Sequence, residues 1–593
     1  MNKQESDILK ILNEEQYINQ RTLSELSGHS LGIVNRSVKS LQQLGFLDEY
    51  MKITGAAKDY IKEKSPKNAI ILAAGFGMRM VPINREIPKG LLDVKGEILI
   101  ERLIRQLHEA GIYSIFIVVG FMKEQYEYLM DRYQVKLIVN PEYAVKNNLH
   151  SLKYAVRFLS NCYIVPCDIW CRKNPFSRHE LYSWYLLSNE FSSKSTVRAN
   201  RKLELVMRNN ETQKGNEMIG ICYLEGQQSE NIKRNILQLC ENSRYDNAFW
   251  EEALFSSSQI KLYAKVISSS DVMEVNTYEQ LRSIDDNSRH LISEVITIIA
   301  NALQSAPNEI TNIEVLKKGM TNRSFLFSCR GRRYIMRIPG EGTELLINRA
   351  NEAAVYRLLH GRNICDKILY INPVNGYKIT EYLENARVCN PQQKEDVEKC
   401  MKKLRGFHRL NLRATHEFDL FKQIDFYESL WENEGSVYQD YKETKHRVLS
   451  LRKYIEAHAA DKVLTHIDAV PDNFLFMKEG TIEEIYLIDW EYAGMQDPHV
   501  DIAMFGIYSF YDRQQMDLLI NMYFQGMCTR EDRIKIYCYI AVCGLLWSNW
   551  CEYKRYLGVD FGEYSLRQYR YAKDYYRIVH DELGGECQKW EIK

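Results

Sequence analysis

The sequence predicts a multidomain chain: a small all-α amino-terminal domain, an α/β doubly wound domain and an α+β two-lobed domain. Three observations predict it. The 593 residues exceed what a single core organises, and roughly 150 residues per domain allows about four. Between residues 66 and 288, short apolar runs alternate with amphipathic stretches, the pattern of a parallel sheet covered by helices on both faces. Beyond residue 305, strand patterns come first and helical ones follow. The segments are therefore 1–64, 66–288 and 305–593, with a helical connector (Leu291 to Leu303) before the last. Hydrophobic residues make up 45% and charged ones 26%, and 78 Lys+Arg balance 78 Asp+Glu. This excludes a surface that is cationic throughout, as for nucleic acid, and an acidic disordered chain. Fourteen cysteines include no CxxC pair, so they read as reduced, mostly buried thiols of a cytosolic protein. The longest apolar run, Ile536 to Trp547, has twelve residues, short of the roughly 18 that span a bilayer. No membrane insertion is expected.

In residues 1–64, Ile8, Leu9, Ile11 and Leu12 mark one helical face, and Leu23 and Leu26 mark a second short helix that Gly28 can end. Leu31 to Leu44 gives a third helix, Gly45-Phe46-Leu47 an extended piece, and Thr54 the N-cap of a fourth helix. The order resembles a winged helix-turn-helix domain of the MarR-like kind. That resemblance implies a third helix for the DNA major groove, with Asn35, Arg36, Ser37 and Lys39 exposed. Nine Lys/Arg face nine Asp/Glu in the segment, however, and phosphate contacts dominate DNA affinity. A docking or regulatory domain of the same shape is the alternative.

The second segment reads as strand Asn68 to Ala74, helix Ile100 to Ala110, strand Ser114 to Gly120, helical Lys123 to Arg132 and strand Lys136 to Asn140. Helix Ser151 to Leu159 and strand Tyr163 to Cys167 follow. Directly after the first strand stands Ala73-Ala74-Gly75-Phe76-Gly77-Met78-Arg79, and Pro88-Lys89 follows. Glycines there let several backbone N–H groups approach a phosphate, and Arg79 and Lys89 add the cations of a triphosphate clamp. The loop is neither GxGxxG nor a Walker A sequence. From Asn68 to Asp285 the segment is similar to nucleotidyltransferases of the sugar-phosphate and choline-phosphate type, most nearly the bacterial CTP:phosphocholine cytidylyltransferases. The stretches Asn140-Pro141, Asn147 to Leu152 and Phe249-Trp250-Glu251 carry that likeness. It implies that Ala73, Ala74, Gly75, Gly77, Arg79 and Asn147 bind nucleotide, and that Lys89 and Arg79 act on the phosphates. Asp168, after the strand Tyr163 to Cys167, is implied as a Mg²⁺ ligand. The family has a second metal Asp in an E-x-D context, where this sequence reads Glu274-Val275-Asn276, so Asn276 or Glu274 takes that place. Trp250 either meets a quaternary ammonium or packs in the core.

The third segment begins with strands Ile313 to Leu316, Ser324 to Ser328 and Arg333 to Ile338, then a helix Arg349 to Leu359. Lys318 to Ser324 reads as a polar turn over phosphates, Glu352 as a partner for Arg337, and Ile379 to Leu383 as a hinge between lobes. His466-Ile467-Asp468-Ala469-Val470-Pro471-Asp472-Asn473 spells H-x-D-x-x-x-x-N, and Asp489 stands sixteen residues after Asn473. Phosphoryl transfer uses these parts: an Asp beside the attacking hydroxyl, and an Asn and an Asp on the metal. The segment resembles the choline kinase and aminoglycoside phosphotransferase family. The resemblance implies Asp468 as base, Asn473 and Asp489 on Mg²⁺, His466 as structural, and Arg337, Glu352 and Glu381 near ATP. Most of that family has Lys where Arg337 stands. Trp547, Trp550 and Tyr553 repeat at helical spacing, as a wall for a quaternary ammonium or as a core stripe.

Together the two resemblances imply a bifunctional enzyme that makes CDP-choline. The last domain would phosphorylate choline with ATP, and the central one would join phosphocholine to CTP, with a regulatory amino-terminal domain. The alternatives are the same chemistry on ethanolamine or another amino alcohol, and a DNA-binding regulator that senses choline metabolites.

Overall fold

A computed structural model describes the chain apart from residues 16–18, 84–85, 209–213, 257–259, 317–321, 341–344, 432–434, 480–481, 558, 560 and 591–593. The first helix, Lys3–Glu14, opens on a capping box in which Asn2 and Glu5 satisfy each other's backbone N–H. The second, Gln20–Ser27, is capped by the Asn19 side chain and ends at Gly28, whose φ of 68° suits glycine. Leu31–Gln43 follows, and Thr54 caps Gly55–Lys64 as expected. Between them Leu47 pairs with Ile53 in a single antiparallel bridge, a minimal wing. One expectation fails here: Ser37 is only 5% exposed. Val34, Ser37, Val38 and Leu41 form the inward stripe of the third helix, while Asn35, Arg36 and Lys39 remain outside.

This helical domain and the α/β segment belong to one compact unit, Met1–Ile298; the second unit is Ile299–Lys593. Leu181 of the α/β segment completes the helical core around Ile8, Leu23, Val34 and Ile61. Polar contacts fasten the two. Tyr182 Oη donates to Asp7 at 2.8 Å, Lys64 pairs with Glu225 at 2.6 Å, and Asn161 Nδ2 donates to the Glu63 carbonyl at 2.7 Å.

The α/β segment holds a seven-stranded sheet. Its order is Tyr263–Ile267, Trp184–Ser192, Gly215–Leu224, Cys162–Pro166, Asn68–Ala73, Ser114–Val119 and Lys136–Val139. Gly215–Leu224 runs against both of its neighbours, and the other pairings are parallel. Period-2 alternation feeds two cores. Ala69, Ile71 and Ala73 pack with Ile100, Leu103 and Leu107 of helix Leu99–Glu109. Ile70 and Leu72 pack on the other face with Leu149, Leu152, Ile232 and Ile236. Because the central strands are parallel and in register, their carboxyl ends at Ala73, Val119 and Pro166 open to one side.

The second unit begins with a five-stranded antiparallel sheet, ordered Ile310–Val315, Asn322–Cys329, Arg332–Pro339, Lys378–Glu381 and Ile368–Ile371. Helix Arg349–Leu359 accompanies it. Helices dominate from Lys394 onward, with a hairpin Phe474–Glu479/Ile482–Leu487 and a strand pair Val463–Thr465/Gly494–Gln496 among them. Helix Arg530–Tyr556 is the spine of this lobe. Among the described residues it alone is long and apolar enough to cross a membrane, and its apolar stretch is entirely buried inside the unit. All fourteen cysteines are unpaired, and all but Cys365 and Cys528 are buried.

Candidate active sites

At the carboxyl end of the central strand, Ala73 and Ala74 are buried and Gly75 is exposed, so the loop presents its backbone outward. Gly77 adopts φ 58° and starts a short turn of 3₁₀ helix that carries the exposed Arg79. Lys89 opens a second such turn beside it. Its ammonium donates to Asp168 Oδ2 and, at 2.6 Å, to Asn276 Oδ1. These three residues, far apart in the chain, meet because strand Val272–Glu274 pairs with Ile169–Cys171, setting Glu274 opposite Ile169. The Val275 N–H then donates to the Asp168 carbonyl at 3.0 Å, which places Asn276 beside the Asp168 side chain. Asp168 Oδ1 is buried with no hydrogen-bond partner among the described residues.

Asn147 lies further round the rim, and its side chain is already engaged. Its Oδ1 caps helix Asn148–Ala155 and its Nδ2 donates to the Asn247 carbonyl at 3.0 Å. It therefore ties the helix start to the segment 246–250, where Trp250 N–H donates to Asn148 Oδ1 at 2.8 Å. Trp250 is 1% exposed and sits in the core with Tyr185, while Phe249 is at the surface. Glu251, not singled out among the expected site residues, accepts from Tyr185 Oη at 2.9 Å; burial pushes its carboxyl up to about 7.

In the second unit, Asp468, Asn473 and Asp489 line one cavity of about 450 Å³. Asn473 Nδ2 donates to the Asp468 carbonyl at 2.9 Å and to its Oδ2 at 3.1 Å, fixing the carboxyl. Burial, then the neighbouring Asp489 and Glu491, push Asp468 up to about 8. Two non-glycine residues here hold positive φ, Ile467 at 70° and Asp489 at 67°. Such strain persists only where the surroundings over-determine it. The surroundings include Asp501, which the motif does not reveal. Its carboxylate accepts from the His466 and Ile467 N–H groups at 3.0 and 2.7 Å and lies 2.9 Å from His408 Nε2. His466 Nε2 meets the Ile488 carbonyl at 2.9 Å, joining the Asp468 loop to the Asp489 strand. Burial lowers His466 to about 4, so it is neutral and structural.

Arg337 lines the same cavity and is fixed by a two-pronged pair with Glu352, at 2.5 and 2.8 Å, as the spacing predicts. Arg349 also reaches Glu352 at 3.0 Å and Glu491 at 3.2 Å, and this cationic surrounding holds Glu352 down to about 2 despite burial. Lys378, directly across the strands from Arg337, is a further cation on the cavity that sequence reasoning missed. Glu381 does not line it. Its N–H donates to the Lys367 carbonyl at 3.0 Å and its side chain pairs with Lys367, while Thr380 faces the cavity. The turn expected over the phosphates falls mostly outside the described residues, at 318–321.

Trp547 and Trp550 line the cavity, joined by Tyr492, Tyr508 and Tyr564 from other elements. Tyr553 is buried but is not part of the lining, and Glu552 accepts from Ser436 Oγ and Val437 N–H instead. The pairing Trp547–Trp550, with ring centres 5.7 Å apart and edge-on, presents two indoles to one volume. The three tyrosines were not legible because each comes from a different part of the chain.

Comparison with known proteins gives three family matches along the chain. Residues 313–569 match the choline/ethanolamine kinase family, 69–182 the MobA-like NTP transferase domain, and 1–48 a winged helix-turn-helix DNA-binding domain. The solved choline kinase LicA from Streptococcus pneumoniae is 31% identical, with all of that chain and 48% of this one covered, at a TM-score of 0.43. The carboxy-terminal domain of the chain is of the choline/ethanolamine kinase type. This kinase domain is also 28% identical to Protein LicA of Haemophilus influenzae, over 42% of this chain and 76% of that protein. The central domain is 27% identical to the choline-phosphate cytidylyltransferase of Streptococcus pneumoniae, over 37% of this chain and 96% of that protein. The protein is thus an enzyme with three domains, a winged helix, a nucleotidyltransferase and a choline-kinase-type domain, in that order.

Proposed function

We propose that the kinase domain phosphorylates choline with ATP and that the nucleotidyltransferase domain turns the resulting phosphocholine and CTP into CDP-choline and pyrophosphate. The observation that carries it is the shared cavity: one wall holds Asp468, Asn473 and Asp489, and the other is aromatic. A quaternary ammonium donates no hydrogen bonds, so ring faces suit it. Asp468 accepts the hydroxyl proton as the oxygen attacks the γ-phosphorus and ADP leaves with the bridging oxygen, and its raised pKa keeps it matched to that task near neutral pH. Arg337 and Lys378 offset phosphate charge on the same cavity.

Both sites fit Mg²⁺ by chemistry. The donors are oxygens, the kinase carboxyls are crowded, and Asp168 leaves a buried oxygen unpartnered. Among the described residues, no three acidic, histidine or cysteine side chains form a metal cage by themselves. Asn473 and Asp489, and in the central domain Asp168 with Asn276, would therefore hold the ion together with water and phosphate oxygens. The ion supplies charge neutralisation on the phosphates. In the central domain Lys89 and Arg79 bind the triphosphate, Gly75 and Gly77 give it backbone N–H groups, and the substrate's own phosphate is the nucleophile at the α-phosphorus.

Phosphorus NMR on the full chain with choline, ATP, CTP and Mg²⁺ tests this. Phosphocholine followed by CDP-choline is expected. Asp468→Ala should stop the first step alone, and Asp168→Ala the second alone. Absence of turnover with choline or ethanolamine would sink the reading. Ethanolamine is the second candidate, because its family name covers both alcohols. A primary ammonium wants carboxylates, and Glu491 on the cavity offers one. The amino-terminal domain is regulatory in this reading. Asn35, Arg36 and Lys39 are free at the surface for DNA, while the segment as a whole is neutral. Retention of labelled duplex at low salt, lost in Arg36→Ala/Lys39→Ala, would support a DNA role.

A further inference from the structure

Lys554 is 6% exposed, on the last turns of helix Arg530–Tyr556. Trp547, Trp550 and Lys554 fall on one helical stripe. The Lys554 ammonium lies 5.6 Å from the centre of the Trp550 ring and 6.0 Å from that of Tyr553. Trp550 lines the cavity and Lys554 does not. The Trp550 ring is therefore shared between the cavity and the Lys554 ammonium. Burial lowers the affinity of Lys554 for its proton, and Glu491 partly restores it. Salt bridges to carboxylates hold other buried lysines of this lobe, such as Lys535 with Asp497 at 3.0 Å. Among the described residues Lys554 has ring faces in that role.

From this geometry we infer that Lys554 is a specificity-determining residue that sets how strongly the cavity takes a cationic alcohol. The inference rests on the choline-site reading above. A cation held against Trp550 draws the π density of the ring towards itself, and its charge repels a second cation that the same ring would hold. Both effects weaken a quaternary ammonium in the cavity and leave an uncharged group of equal shape untouched. The residue thereby holds the affinity for the cation below what the aromatic wall alone would give.

Steady-state kinetics of the full chain test this with choline and with 3,3-dimethylbutan-1-ol, its uncharged isostere. In Lys554→Met the choline KM is expected to fall roughly three- to ten-fold, with the KM values for the isostere and for ATP unmoved. Lys554→Arg keeps the charge and should keep the wild-type choline KM. A choline KM equal to or above wild type in Lys554→Met overturns the inference. So does an equal fall for the isostere, which would assign Lys554 a packing role. Lys554→Gln carries the same expectations if Lys554→Met does not fold. Should the wild-type protein prefer ethanolamine, the ethanolamine KM is the readout. Should it phosphorylate no cationic alcohol, the site reading fails and this inference fails with it.

Discussion

Asp501 is wholly buried and gathers two backbone N–H groups of the His466–Asn473 loop together with His408. Replacing one carboxylate oxygen by an amide nitrogen leaves a donor facing a donor, at a cost of about 1–3 kcal/mol. Asp501→Asn should lower the melting temperature of the kinase unit and cut kcat far more than the KM for ATP, because it loosens the strained Ile467–Asp468 backbone. Calorimetry with steady-state kinetics checks both. Trp550→Ala removes one ring from the cavity and should raise the choline KM roughly ten-fold. Asp468, Asn473 and Asp489 were legible in sequence because a loop holds the first two at fixed spacing and one strand delivers the third. Asp501 was not, because a lone Asp in an apolar helix carries no spacing to read; its role exists only where that helix meets the loop. Lys378 was hidden for a similar reason, since only strand pairing brings it opposite Arg337.

Helix Arg530–Tyr556 has almost no polar face, because helices cover it on every side. A run that looks short in sequence, Ile536 to Trp547, is therefore the middle of a much longer buried helix. Its closest neighbour is helix Glu563–Leu583, and Gly544 permits the approach. A Cβ at Gly544 would lie 2.7 Å from the Gln568 carbonyl oxygen and 2.9 Å from the Ala572 nitrogen, both backbone atoms that cannot swing aside. Gly544→Ala is expected to destabilise the kinase unit by about 1–3 kcal/mol, although alanine favours helices. Urea unfolding checks it, and an unchanged midpoint would refute the close packing. The strand and helix centres of the α/β segment were readable from periodicity, and Arg349–Leu359 emerged with its predicted ends. The antiparallel strand Gly215–Leu224 was not predicted, since the direction of a buried strand leaves no mark on its side chains.

At the scale of the molecule, the winged helix shares a core with the nucleotidyltransferase through Leu181. Deleting residues 1–64 would bare Leu181 and remove the partners of Tyr182 and Glu225. The truncated protein should lose stability in the unfolding transition of the Met1–Ile298 unit and keep that of Ile299–Lys593, which differential scanning calorimetry can separate. A truncation with both transitions unmoved would mean that the docking contributes nothing. Of the charges in residues 1–64, Asp7 and Lys64 are used against the neighbouring domain, whereas Arg36 and Lys39 stay outside. The sequence alone determined the three domains, the glycine loop Ala73 to Arg79 and the H-x-D-x-x-x-x-N loop. Each is written in residues close together in the chain, where local periodicity and spacing act. Only the tertiary structure decided which aromatics wall the cavity, that Tyr553 is not among them, that Lys89 meets both Asp168 and Asn276, and that Lys554 backs Trp550. Those neighbours are joined by packing between elements distant in sequence or by which face of one helix turns inward, and neither is encoded at a spacing that can be read.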